Sequence, residues 1–128
     1  MTKSNPLQGL RILVVEDIYL VAEVICEQLR DCGCEVVGPV GQLNEALALA
    51  RQETLDGAIL DVNLKGQSSF SVSDALSERT IPYVFLTGYD TVNMFPTAYR
   101  DAPRLGKPFR HADFIAFVNR HFNHRAQD

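Results

Sequence analysis

The run Leu10-Arg11-Ile12-Leu13-Val14-Val15 is aliphatic at nearly every position, the pattern of a central parallel strand covered on both faces. It ends in Glu16-Asp17. Apolar residues then recur at Ile18, Ala22, Ile25, Leu29 and Cys32, in alternating steps of four and three, which makes one helical stripe. Glu23, Glu27, Gln28, Arg30 and Asp31 take the other side, and Gly33 is positioned to end the helix in the left-handed conformation. Glu35-Val36-Val37-Gly38-Pro39 predicts a short second strand closed by its proline. Leu43, Ala46, Leu47 and Ala50 form the stripe of a second helix, rich in good helix formers. Ala58-Ile59-Leu60-Asp61 is a third strand, an apolar run that stops abruptly on a carboxylate with a loop and Gly66 beyond.

The serine-rich stretch 65–73 predicts a loop, followed by a short third helix over about 74–79. Pro82 opens a fourth strand, Tyr83-Val84-Phe85-Leu86, which ends in Thr87-Gly88. Residues 89–103 are the least regular part, with Pro96 and Pro103, and hold one helical candidate at 91–95. Leu105 and its neighbours make a brief fifth strand leading to Lys107-Pro108-Phe109. Phe114, Ile115, Val118 and Phe122 then mark a final helix. Strand and helix alternate five times. The expected architecture is α/β: a flavodoxin-like, doubly wound, five-stranded parallel sheet of order 2-1-3-4-5, flanked by five helices of which the fourth is short or irregular.

Composition narrows the function classes. A chain of 128 residues suits one domain over 1–128, with its core from about 10 to 122. A net charge of −4 and a pI near 5.3 argue against a large nucleic-acid footprint, which needs a basic face. No apolar run approaches membrane-spanning length, and the first six residues lack the apolar centre of a signal peptide, so the expected location is the cytoplasm. Cys26, Cys32 and Cys34 have no paired C-x-x-C spacing and are expected to be small apolar fillers. His121 and His124 lie three apart without a third ligand and are expected to form a solvated, mildly cationic helix end.

The chemistry gathers at the strand ends. Strand one delivers Glu16 and Asp17, strand three Asp61, strand four Thr87 and strand five Lys107. In the expected strand order these ends converge on one crevice at the carboxyl edge of the sheet. Close carboxylates raise one another's pKa unless a cation sits among them, and an oxygen-only donor set favours a hard ion such as Mg²⁺. A carboxylate beside such an ion can attack phosphorus, with Lys107 and Thr87 supplying charge and a donor to the phosphoryl oxygens. Each feature alone has a plainer reading: Glu16-Asp17 as helix caps, Lys107 as a surface lysine, Thr87-Gly88 as a turn. Their occurrence together, each on the right strand end, favours the shared site.

At these residues the chain resembles the CheY-like response-regulator receiver domains of two-component signalling, over nearly its whole length. The resemblance rests on Glu16-Asp17, on Asp61 with Asn63 and Gly66, on Thr87-Gly88 and on Lys107-Pro108-Phe109. It implies Asp61 as phosphoacceptor. It also implies Mg²⁺ or Mn²⁺ held by Asp17, Glu16, Asp61 and the main-chain carbonyl of Asn63, with Thr87 and Lys107 on the phosphoryl group. The bond before Pro108 would be cis. Receivers usually carry an aromatic switch residue three positions before the lysine; here that position is Arg104. The stretch Pro82-Tyr83-Val84-Phe85-Leu86-Thr87-Gly88-Tyr89 is similar to the fourth strand of a mostly stand-alone subfamily nicknamed FAT GUY, with Leu86 in place of that group's alanine. Tyr89, two residues beyond Thr87, is then a candidate for the coupling that the missing aromatic would perform, or for shielding the acyl phosphate.

The resemblance implies a single-domain response regulator that takes a phosphoryl group from a sensor histidine kinase or a histidine phosphotransfer protein. The first helix, with Tyr19 and Glu23, would be the docking surface. Only residues 123–128 follow the last helix, so output is expected through contact with a downstream protein target, or as a phosphate relay or sink, in a monomer or weak dimer that binds neither nucleic acid nor membrane. Beyond its own phosphorylation and autodephosphorylation it is not expected to be an enzyme. Two alternatives stand beside this: a receiver-like interaction module that takes no phosphate, and a phosphohydrolase with Asp61 as transient nucleophile. Against the second, haloacid-dehalogenase-type enzymes have an aspartate where this chain has Asn63.

Overall fold

The structure is a computed structural model that describes residues 7–88, 95–99 and 101–122. The elements run β1 (Arg11–Val15), α1 (Tyr19–Asp31), β2 (Glu35–Val40), α2 (Leu43–Gln52) and β3 (Gly57–Asp61). A small hairpin follows, β4 (Asn63–Leu64) and β5 (Gln67–Ser68). Then come α3 (Phe70–Glu78), β6 (Tyr83–Thr87), a 3-10 turn (Thr97–Tyr99), β7 (Arg104–Gly106) and α4 (His111–Phe122). Five strands form one parallel sheet in the order β2-β1-β3-β6-β7. With the hairpin strands set aside, this is the expected order 2-1-3-4-5.

Period-two alternation sorts each central strand between two cores. Leu13 and Val15 of β1, Ala58 and Leu60 of β3, and Phe85 of β6 face one side, with Ala46 and Ala50 of α2 and Val72, Ala75 and Leu76 of α3. Ile12 and Val14, Ile59, and Val84 and Leu86 face the other, against Ile25 and Leu29 of α1 and Phe114, Val118 and Phe122 of α4. A Cβ on Gly57 would stand 2.8 Å from the Phe122 ring, so α4 packs as closely as it does because β3 begins with a glycine. Cys26 and Cys34 are buried, Cys32 is half-buried, and all three are free thiols. Burial pushes the Cys34 thiol up to about 11, as suits a filler rather than a nucleophile.

Several expectations change. Among the described residues there are four α-helices rather than five. The candidate at 91–95 lies largely outside the described residues; Phe95 is non-helical, and among the described residues between β6 and β7 the one helical element is the 3-10 turn. Strand β2 does not stop at Pro39 but runs on to Val40. It is an edge strand that slips register between its pairings Leu13↔Val37 and Val15↔Val40, and Gly38 takes φ +99 at the slip. An edge bulge is where a proline does least harm to a sheet.

Ile18 is not in the buried stripe of α1; it is the extended residue before the helix and is 52% exposed, while Cys26 fills the core beside Ile25. Helix α3 starts at Phe70, well before the expected residue 74, inside the serine-rich stretch. Ser73 can be buried there because its hydroxyl donates to the Phe70 carbonyl at 2.8 Å.

Candidate functional site

Parallel register brings the strand ends to one edge. Leu86, next to last in β6, pairs with Asp61, and Thr87 pairs with Gly106, so Lys107 emerges directly beside Thr87. The Lys107 amide donates to the Thr87 carbonyl at 2.7 Å. Beyond β1, the Glu16 amide donates to the Val40 carbonyl at 2.9 Å, which sets Glu16 and Asp17 at the same edge. Carboxylate oxygens of Glu16, Asp17 and Asp61 lie within 4.8 Å of one another. Glu16, Asp61 and Thr87 are buried and Asp17 is half-buried. The structure thus gathers Glu16, Asp17, Asp61, Thr87 and Lys107.

The Lys107 ammonium stands 3.2 Å from Glu16 Oε1 and 3.4 Å from Asp61 Oδ1. Burial lifts the Asp61 carboxyl from its usual range to about 7, and the neighbouring Glu16 adds to the rise, against a smaller opposing pull from Lys107. Burial alone would lower Lys107, yet the two carboxylates outweigh it and hold the ammonium above its ordinary pKa. One lysine therefore does not balance three acids. Glu16 also accepts the Ile18 amide through Oε2 at 3.1 Å, so it serves the start of α1 with one oxygen and faces Lys107 with the other.

The sequence did not reveal the hairpin after Asp61. Lys65 and Gly66 form its turn with φ of 51° and 87°, the left-handed pair of a tight two-residue connection. Asn63 Oδ1 accepts the Gly66 amide at 2.8 Å, and buried Leu64 anchors the arm in the core. The Lys65 amide donates to Asp17 Oδ2 at 3.1 Å. The signal was present in Asn63-Leu64-Lys65-Gly66, an Asx-capped turn ending in glycine, but the following serines read more readily as a loop. Also unforeseen is an apolar groove of about 580 Å³ between α1 and the Lys107–Phe109 segment, lined by Ile18, Leu20, Val21, Val24, Pro108 and Phe109. Its trace in the sequence is the apolar residues Leu20 and Val24, off the core stripe of α1.

The Lys107–Pro108 bond is cis, and so is Gly38–Pro39. Arg104 does not reach the acid cluster. Its guanidinium lies 3.8 Å over the Phe95 ring and donates to the carbonyls of Tyr99 and Ala102. Tyr89 lies outside the described residues. His121 meets the Phe117 ring edge-on, and burial lowers its pKa, contrary to the cationic helix end expected; His124 is outside the described residues.

The donor set fits a hard divalent cation: three carboxylates, two of them buried, converge with one ammonium between Glu16 and Asp61. No helix among the described residues is long and apolar enough to cross a membrane.

Residues 12–119 match the response regulator receiver domain family. The chain is 34% identical over 112 residues to the transcriptional regulatory protein PdtaR of Mycobacterium tuberculosis, covering 84% of this chain and 54% of that protein. It is 31% identical over 113 residues to the phyllosphere-induced regulator PhyR of Methylorubrum extorquens, covering 84% and 42%. It thus spans about half the length of these relatives. The solution structure of SdrG from Sphingomonas melonis Fr1 superposes with a TM-score of 0.78 at 36% identity, over 91% of this chain and 96% of that one. With a match that runs from the first strand into the last helix, the chain belongs to the response regulator receiver domain family.

Proposed function

We propose that this receiver takes a phosphoryl group on Asp61 from a phosphohistidine of a sensor histidine kinase or phosphotransfer protein. The observation that carries the reading is the reach of one ammonium, Lys107, to two buried strand-end carboxylates, Glu16 and Asp61. An Asp61 oxygen attacks phosphorus; a P–O bond forms, the P–N bond breaks, and its electron pair returns to the donor imidazole. Asp61 must be ionised to attack, and Lys107 at 3.4 Å favours that form. The Lys107 ammonium and the Thr87 hydroxyl then meet the phosphoryl oxygens. Asp17, Glu16, Asp61 and the Asn63 carbonyl would hold Mg²⁺ or Mn²⁺, which neutralises charge on the transferred group when bound.

The donor docks on α1. Tyr19 and Leu20 are each 73% exposed, and the groove beside them opens at Lys107. Beyond phosphorylation of its own aspartate and the hydrolysis of that acyl phosphate, the domain catalyses nothing. It acts in the cytoplasm, as a FAT GUY-like receiver that signals by protein contact or drains phosphate.

Phosphotransfer profiling against a panel of histidine kinases tests the reading. At least one kinase should label the protein, and Asp61→Ala should abolish labelling. Labelling that survives in Asp61→Ala would place the phosphoryl group on another residue and overturn the assignment of Asp61. No labelling by any kinase or small phosphodonor with Mg²⁺ would leave the interaction-module alternative in its place.

A further inference from the structure

Asp17 is the most exposed of the three acids and depends on its surroundings for its direction. Two contacts supply it. On the carboxylate side, the Lys65 amide donates to Oδ2 at 3.1 Å. On the main-chain side lies Gly41, just past β2. A Cβ there would sit 2.9 Å from Asp17 Cα, 3.3 Å from Asp17 Cβ and 3.4 Å from the Glu16 carbonyl oxygen. Gly41 is not among the glycines with positive φ, so its backbone would accept alanine without strain. What excludes a side chain is Asp17 itself.

The route that brings Gly41 there is the slip in β2. The strand spends one extra residue between Val37 and Val40, across from Leu13 and Val15. Val40 therefore lies opposite Val15, its carbonyl accepts the Glu16 amide at 2.9 Å, and the next residue abuts Asp17.

We propose that Gly41 is a positioning residue for the cation site: its bare Cα seats the Asp17 main chain and, with the Lys65 amide, aims the Asp17 carboxylate at Glu16 and Asp61. The inference rests on the reading of these three acids as a divalent-cation site. Since the clash of a Cβ falls on Asp17 Cα, with Asp17 Cβ and the Glu16 carbonyl next, rather than on a flexible side-chain tip, it moves the ligand. The helices and the two cores are untouched.

The test is a MgCl₂ titration of Gly41→Ala followed by NMR, beside the wild type and Gly106→Ala, whose added Cβ meets nothing within 4 Å. Gly41→Ala should weaken Mg²⁺ binding roughly tenfold, the scale of lost support behind a metal ligand. Its chelated, metal-free Tm should fall by less than about 5 °C. The metal-free amide peaks of Asp17 and Lys65 should shift while those of α4 stay, and Gly106→Ala should bind as the wild type does. Affinity within about twofold of the wild type overturns the inference. So does a Gly41→Ala protein too unstable to titrate, because the cost would then fall on the fold. Absence of saturable binding by the wild type removes the cation reading and this inference together.

Discussion

Asp61 ends a fully buried strand with Glu16 beside it and one ammonium to offset both, and its carboxyl is pushed up to about 7. An unfolded chain ionises this residue near its ordinary value of 3.8. Between those pH values the folded, metal-free protein holds a proton that the unfolded chain has released. The stabilisation is fully present below the unfolded pKa and is lost as pH rises through about 7. Asp61→Asn has no proton to lose. In chelator it should be more stable than the wild type by on the order of 2–4 kcal/mol at about pH 7.5, and by clearly less at about pH 5. Urea denaturation at the two pH values measures this, and an Asn variant that gains nothing at the higher pH would contradict the burial argument.

Element by element, the departure at Arg104 becomes a packing question. Phe70, the first residue of α3, touches Phe85 at 5.4 Å, Phe95 at 5.5 Å and Tyr99 at 4.4 Å between ring centres. Arg104 closes the group from above Phe95, and the Tyr99 hydroxyl donates to Asp74 on α3. The described part of the segment before β7 is thus fastened to the helix that begins just after the hairpin at Asp61. Phe70→Ala should cost about 3–5 kcal/mol. Arg104→Ala should cost about 1 kcal/mol, and a double-mutant cycle of Arg104→Ala with Phe95→Ala should show coupling of about 0.5–1 kcal/mol. Strictly additive losses would mean that the guanidinium lies on the ring without attraction. None of this was legible beforehand, because a cation–π contact joins residues with no periodic relation in the chain. The arginine in the usual aromatic's place was visible; the ring beneath it was not.

Taken whole, the molecule holds its acids together with two cores and one lysine, which leaves an excess of negative charge for a cation to relieve. A ligand that binds only the folded state stabilises it by mass action. Mg²⁺ at about a hundred times its dissociation constant should raise stability by about 2–3 kcal/mol. Asp17→Asn should lose most of that gain while melting close to the wild type in chelator. A thermal melt of the wild type that ignores Mg²⁺ would remove the cation from the account.

Sequence by itself determined the doubly wound sheet, because aliphatic runs and helical stripes are set by local periodicity and alternate along the chain, and the receiver resemblance supplied the strand order that the structure shows. It also determined which residues stand at the strand ends, and so that Glu16, Asp17, Asp61, Thr87 and Lys107 would share one edge. Tertiary structure alone decided the rest. The slip that carries β2 past its proline, the hairpin that turns the Lys65 amide onto the Asp17 carboxylate, and the bare face of Gly41 against that aspartate all depend on segments distant in the chain meeting across the fold. Residue type permits such contacts, as Asn63 and Gly66 permit the hairpin and Gly41 the close approach, but hydrophobic periodicity does not say which segments meet. Burial likewise raised the Asp61 pKa: a sequence names the acid, but the surrounding chain removes the water.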